Sequence, residues 1–326
     1  MKKISVSLAM LAIVLVFGLA IIGCDLGSSD ISSIEGISFE NYPHIDGSTS
    51  TYPLNVIIAA KLLGLEYEWQ FGGVPERNVY LKNSQGTLSW EFIEKLQNSQ
   101  THNAIINLID NKADLIIVAR TMSADEKQHA SRVGVSLIET PIALDALDFI
   151  LNSENTLNSL SVEQIQNIYL GNMTNWNEVG GADEAILPFI RNPNSGSQEM
   201  MNEIVMGGTG IPNWEVSLFD EDSIIASMIA VYHELRVHPN AICFTPHYYK
   251  EYMMEWWSIE GIKTVAVNGI MPSKNSIKNK TYPFVANIYV SIRANTSPNS
   301  MTYKVYEWLQ SKSGKKAIEE SGYVPN

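Results

Sequence analysis

Two rhythms of apolar and polar positions run through this chain. From Pro53 to Leu65 the apolar residues recur at helical spacing directly after a run of hydroxyl side chains, and Pro53 suits a first turn, where its missing N–H is not needed. Glu91 to Lys112 predicts one or two further helices, followed by the continuous apolar strand Leu115-Ile116-Ile117-Val118. Leu147 to Leu151 predicts a buried strand ending at Asn152; Val265 to Val267 and Ile288 to Ile292 predict later strands, and Met301 to Ser311 an amphipathic helix. Ser123-Ala124-Asp125-Glu126 and Ser161-Val162-Glu163-Gln164 have capping-box spacing, the second before a helix that stops at Gly171. Alternating strands and helices argue for α/β lobes. The expected division is a first lobe over residues 41–144 and 246–326 and a second over 145–245. Two crossings of that kind make a hinge with an interdomain cleft, a common place for small ligands.

Ahead of this pattern, Lys2 and Lys3 precede an uncharged apolar run from Ile4 to Gly23 that ends at Cys24. The order of charge and apolar core predicts a signal peptide over residues 1–23. The run is also long enough to span a membrane. Its ending, Ile21-Ile22-Gly23-Cys24, looks like a bacterial lipoprotein cleavage site, so Cys24 is expected to carry lipid and to anchor the exported chain to the membrane, in the periplasm or at the cell surface. Residues 24–40, rich in Gly, Ser and Asp and without sustained periodicity, predict a tether. The other cysteine, Cys243, then has nothing to pair with and reads as a small buried apolar residue. The formal net charge of −13, more negative still without Lys2 and Lys3, excludes nucleic acid as a partner. At 326 residues and 45% hydrophobic content the chain can bury the core of two domains, and no internal repeat is visible.

The densest chemistry lies at Arg191-Asn192-Pro193-Asn194-Ser195-Gly196-Ser197-Gln198. It joins a fixed positive charge, two hydroxyls and the unbonded N–H groups of a helix start, which is equipment for holding a small oxyanion. A second donor-rich helix start lies far upstream at Gly47-Ser48-Thr49-Ser50-Thr51. Each has a plainer reading: Ser195 and Ser197 as helix caps, Thr49 and Ser50 as turn residues. Rival chemistry has less behind it. His233-Glu234 with His238 resembles a zinc-protease signature, but the histidines are five apart rather than four and point about 140° apart on a helix. No Gly-x-Ser-x-Gly elbow or phosphate-loop motif occurs, and no base can be placed beside Ser195. Trp256-Trp257 and Tyr248-Tyr249 could stack on an organic ligand or simply pack. The chain therefore reads as a binder, not an enzyme, with no metal and no cofactor expected.

The order of segments resembles the phosphate-binding proteins that feed bacterial ABC importers, within the periplasmic binding protein superfamily. The resemblance is carried by Asp46 to Leu54, Ala113 to Arg120, Asp145 to Asn152, Leu160 to Ile165, Tyr169-Leu170-Gly171, Asn175 to Gly181, the Arg191 to Ser197 turn, Asn240-Ala241-Ile242 and Gly322 to Pro325. It implies a two-lobed α/β fold with phosphate in the cleft, an ABC permease as partner, and a monomer. Thr49 and Ser50 would donate from the first lobe, and Arg191, Ser195, Gly196 and Ser197 would clamp from the second. Arg120 matches an arginine that usually follows serine; here Ala119 precedes it. Ser197 stands where threonine is usual. The family's glycine-rich turn, whose serine donates to phosphate, is replaced by Gln100-Thr101-His102-Asn103, leaving Thr101 as the substitute donor on a bulkier loop. Asp46 and Asp145 are the candidates, by position, for accepting the proton that distinguishes phosphate from sulfate. The alternative is a sensory or surface binding module of the same fold with a changed or lost ligand.

Overall fold

The structure is a computed structural model and describes residues 32–71, 76–82, 88–208, 224–225, 227–254 and 259–326. The apolar run before Cys24, Cys24 itself and Trp256-Trp257 lie outside the described residues. Among those described, no helix is long and apolar enough to cross a membrane.

The fold is organised by one 16-residue strand, Leu137–Asn152. Its first part pairs antiparallel with Val285–Arg293, which pairs antiparallel with Leu115–Val118, which in turn pairs parallel with Ile45–Gly47. From Leu147 onward the same strand pairs with Ala241–Pro246, and from Phe149 with Ile262–Val267. It thus belongs to two half-sheets, one in each lobe. From Ile142 on every residue is buried, so this stretch reads as a nearly continuous apolar run, as expected of a strand covered on both faces. Its first half was not predicted because Glu139, Thr140 and Pro141 interrupt the run. Pro141 is accommodated where the register slips against Ile288 and Tyr289, a bulge that tolerates its missing N–H. The chain was expected to return to the first lobe after residue 245, but Ile262–Val267 still pairs with the second half of the long strand. The return comes with Val285–Arg293.

Most predicted helices form within a few residues of their expected limits. Tyr52–Leu63 is capped by Gly64 in the left-handed conformation, φ 68°, and buries Pro53 through Ala60 against the first half-sheet. Trp90–Ile93 and Thr101–Ile109 occupy the predicted helical region. The capping boxes at Ser123 and Ser161 are present. Among the elements not foreseen is a two-stranded hairpin, Tyr67–Phe71 with Arg77–Leu81, beside the first helix.

The crossing is built from charged and aromatic groups. Asp145 and Asp148 lie on the long strand where its partners change, and both are buried. His247, next after the strand Ala241–Pro246, places Nδ1 3.0 Å from Asp148 Oδ2. Burial opposes the imidazolium, but the hydrogen bond and charge of Asp148, helped by Asp145, win and raise its pKa. Burial also pushes Asp145 up to about 6, despite backbone N–H donors from Tyr248 and Ala146. The chain end closes over this region. The Tyr323 ring stacks on Tyr248 at 3.8 Å, and its hydroxyl donates to Ser50 O at 3.0 Å.

Candidate functional site

The first donor turn follows Ile45–Gly47. A Cβ on Gly47 would lie 2.5 Å from Ile117 O, so only glycine lets this strand lie so close to its neighbour. Thr51 is a structural member of the turn: its Oγ1 donates to Ile117 O at 2.6 Å. Ser48 Oγ accepts from Ala119 N at 3.1 Å and shares a 2.8 Å hydrogen bond with Thr101 Oγ1. The backbone N–H groups of Thr49 and Ser50 have no intramolecular partner among the described residues.

The substituted loop supplies a second helix start. Gln100 adopts φ 71° and ψ 163°, a conformation that is essentially glycine's own, at a cost of order 1–3 kcal/mol. The loop, Gln100 to Asn103, lines the cavity. Helix Thr101–Ile109 begins at this loop, and the N–H groups of Thr101, His102 and Asn103 are the donors that a helix leaves unsatisfied in its first turn.

The third start comes from the second lobe. Asn194 takes φ 64°, and Ser195 caps Gly196–Met200 by accepting from Gln198 N at 3.1 Å. Gln198 does not return the bond as a capping box would. Its Oε1 accepts instead from Arg191 N at 2.9 Å, tying the arginine's strand to the helix. Arg191 is buried; its Nε donates to Ile225 O at 2.9 Å and its Nη1 to Ser197 Oγ at 3.1 Å. Burial lowers the guanidinium pKa to about 10, so it remains charged at neutral pH while bearing a desolvation cost.

All three starts open on one cavity of about 320 Å³. Of the expected ligand-binding residues, Thr49, Ser50, Thr101, Arg191, Ser195, Gly196 and Ser197 line it together. The lobes touch at its edge. A Cβ on Gly196 would collide with Thr101 Oγ1 and would reach Ala119 Cβ at 3.7 Å, so glycine sets the approach of one lobe to the other.

Arg120 departs from its expected place. It is not among the lining residues; its guanidinium forks onto Glu126, Nη1 to Oε2 at 2.7 Å and Nη2 to Oε1 at 2.9 Å, with both side chains buried. Nη2 also donates to Asn194 O at 3.2 Å, and Asn194 Nδ2 reaches Asp125 at 3.0 Å. Its position beside a charged helix neighbour gives it a bridging role across the lobes. Asp46 is also elsewhere, accepting from Gly47 N, Ser99 N and Asn107 Nδ2. Asp145 lies at the crossing, away from the cavity lining.

Several lining residues were missed, Glu76 and Tyr249 among them. Glu76, at the start of the hairpin's second strand, accepts from Tyr249 Oη at 2.9 Å. No spacing in the sequence announces it, because it reaches the cleft through an element the apolar pattern did not show. Tyr249 was noted only as half of an aromatic pair; Tyr248 is the packed member, stacked between Tyr252 and Tyr323. His233 and His238 both lie against Glu234, and Cys243 is buried with its thiol pKa raised by desolvation.

Residues 91–313 match the family described as PBP superfamily domain. The phosphate-binding protein PstS of Borreliella burgdorferi is 24% identical over 67% of this chain and 75% of its own length. Among solved structures, a putative phosphate ABC transporter substrate-binding protein from Clostridium perfringens, with bound phosphate, aligns with a TM-score of 0.63 at 21% identity, covering 88% of this chain and 100% of that one. An ABC-type phosphate transport receptor from Vibrio cholerae aligns at 0.59 and 22% identity, over 86% and 98%. At these identities the structural likeness establishes the two-lobed fold.

Proposed function

Because this chain belongs to the PBP superfamily, we propose that it captures phosphate or a similar tetrahedral oxyanion between its lobes and delivers it to an ABC importer. The observation that carries this reading is the meeting of three helix starts and a buried arginine, drawn from both lobes, on one cavity. Helix starts favour anions through their unsatisfied N–H groups and the positive end of the dipole. In this reading Thr49, Ser50 and Thr101 donate from the first lobe, together with the amides of His102 and Asn103. Gly196 and Ser197 donate from the second, where Arg191 adds charge and Ser195 holds the helix start by its cap. Arg120 positions Asn194 and its turn. An anion against Arg191 offsets the desolvation that lowers its pKa. Since donors of both lobes reach the ligand only when the lobes meet, binding favours the closed arrangement.

The names of the relatives support phosphate as the anion and an importer as the destination. The apolar run after Lys2 and Lys3 and its ending at Cys24 support an exported chain tethered by lipid, and the family resemblance implies a monomer. The site holds and releases its ligand; the reading assigns it no reaction. A thermal-unfolding screen against phosphate, sulfate and molybdate tests this. Phosphate at about a hundred times its dissociation constant should add roughly 2.7 kcal/mol of stability, and Arg191→Ala or Ser197→Ala should abolish the gain. Stabilisation by no oxyanion would contradict the proposal.

A further inference from the structure

The cavity is larger than a tetrahedral oxyanion needs. At about 320 Å³ it falls in the size range of sites for small organic molecules. An oxyanion of five heavy atoms fills the space of about two or three waters at roughly 30 Å³ each, which leaves most of the volume unused. Besides the donors, the lining offers apolar surface from Met228, Ile229 and Pro246 and polar groups from Glu76 and Tyr249.

Glu76 is the informative one, because a carboxylate only accepts hydrogen bonds and repels a dianion. Its position is nevertheless fixed. Tyr249 Oη donates to Oε2 at 2.9 Å, the Glu76 backbone bridges Met254, and the adjacent Arg77 Nε donates to Tyr252 O at 2.6 Å. Oε1 has no hydrogen-bond partner among the described residues. A ligand that fits such a group carries a cation or a strong donor in addition to its oxyanion.

We infer that the preferred ligand is an aminoalkyl phosphate or phosphonate, whose oxyanion occupies the donor end while its short methylene arm lies along Met228, Ile229 and Pro246 and its ammonium meets Glu76. The inference rests on the anion-binding reading above and names the ligand class within it. Ammonium supplies three donors to a carboxylate that already has one oxygen oriented by tyrosine. The apolar walls shelter the methylenes, and the low local dielectric strengthens the charge pair.

Isothermal titration calorimetry of the whole protein with inorganic phosphate, ethyl phosphate, phosphoethanolamine and aminoethylphosphonate separates the cases. The two amino ligands should bind at least about tenfold more tightly than phosphate or ethyl phosphate, and Glu76→Gln should remove that advantage while leaving phosphate affinity within about twofold. Unfolding of Glu76→Gln at the wild-type temperature confirms that the fold is kept. Phosphate binding as tightly as the amino ligands would overturn the inference and leave the anion reading standing. So would a loss of about tenfold in phosphate affinity in Glu76→Gln, which would make Glu76 the acceptor of phosphate's own proton. Failure of every ligand to bind would overturn both.

Discussion

Arg120 and Arg191 are both buried beside the same cleft, yet their surroundings differ in kind. Arg120 is matched within the chain by the two oxygens of Glu126, itself fully buried and held below the usual carboxylate range because Arg120 outweighs its desolvation. Arg191 donates to a backbone carbonyl and a serine hydroxyl, and burial pulls its pKa down. The first arrangement favours the folded chain as it stands. In the proposed function the second also meets an anion from outside. The sequence already set them apart, reading Arg191 as a ligand clamp and Arg120 as a structural group paired with an acidic neighbour, and the fork onto Glu126 is such a pairing.

That contrast breaks if the arginines respond alike. Removing one partner of a buried ion pair costs about 3–5 kcal/mol, so Glu126→Ala should lower the unfolding free energy by that amount in denaturant titrations. Arg191→Met should weaken phosphate about a hundredfold or more by calorimetry, since truncating one side of a buried charged contact costs about 2–5 kcal/mol in binding. Equal weakening of phosphate in Glu126→Ala and Arg191→Met would erase the distinction.

Asp145 sharpens it with a third outcome, a buried carboxyl whose desolvation outweighs the nearby His247. Its folded pKa, raised from 3.8 to about 6, lies above the unfolded value, so its contribution to stability is complete below about pH 4 and disappears as pH rises through about 6. His247, also raised in the fold, acts in the same direction and loses its contribution as pH rises through its elevated pKa. Two units correspond to roughly 3 kcal/mol at most, and Asp145→Asn should flatten that part of the stability profile between about pH 4 and pH 7. Stability that rises with pH over this window would contradict the assignment. The smallest effect belongs to Ser195→Ala, which removes a helix cap worth about 1 kcal/mol and should weaken the anion only through a looser second-lobe turn.

The parts of the fold legible in the sequence were those where one periodicity dominates: the strand Leu115–Val118, the helix Tyr52–Leu63, and the buried half of Leu137–Asn152. The first half of the long strand was hidden by Glu139, Thr140 and Pro141. The hairpin that brings Glu76 was hidden because its positions are mostly half-buried or exposed and carry no clear apolar alternation. At the site, hydroxyl and glycine turns marked residues that line the cavity because a helix start advertises itself locally. Glu76 and Tyr249 depend on a contact between segments far apart in the chain, which no local spacing records. The Gln100 loop shows the reverse limit, since side-chain bulk suggested a backbone held away from the cleft and the backbone adopts a glycine-like conformation anyway.

The claim beneath all of this is convergence of both lobes on one anion, and amide-resolved NMR during a phosphate titration tests it most directly. The account predicts that the N–H signals of Thr49, Ser50, Thr101, His102 and Asn103 shift together with those of Gly196 and Ser197, along one saturation curve. Shifts confined to one lobe, or two groups saturating at different concentrations, would contradict it.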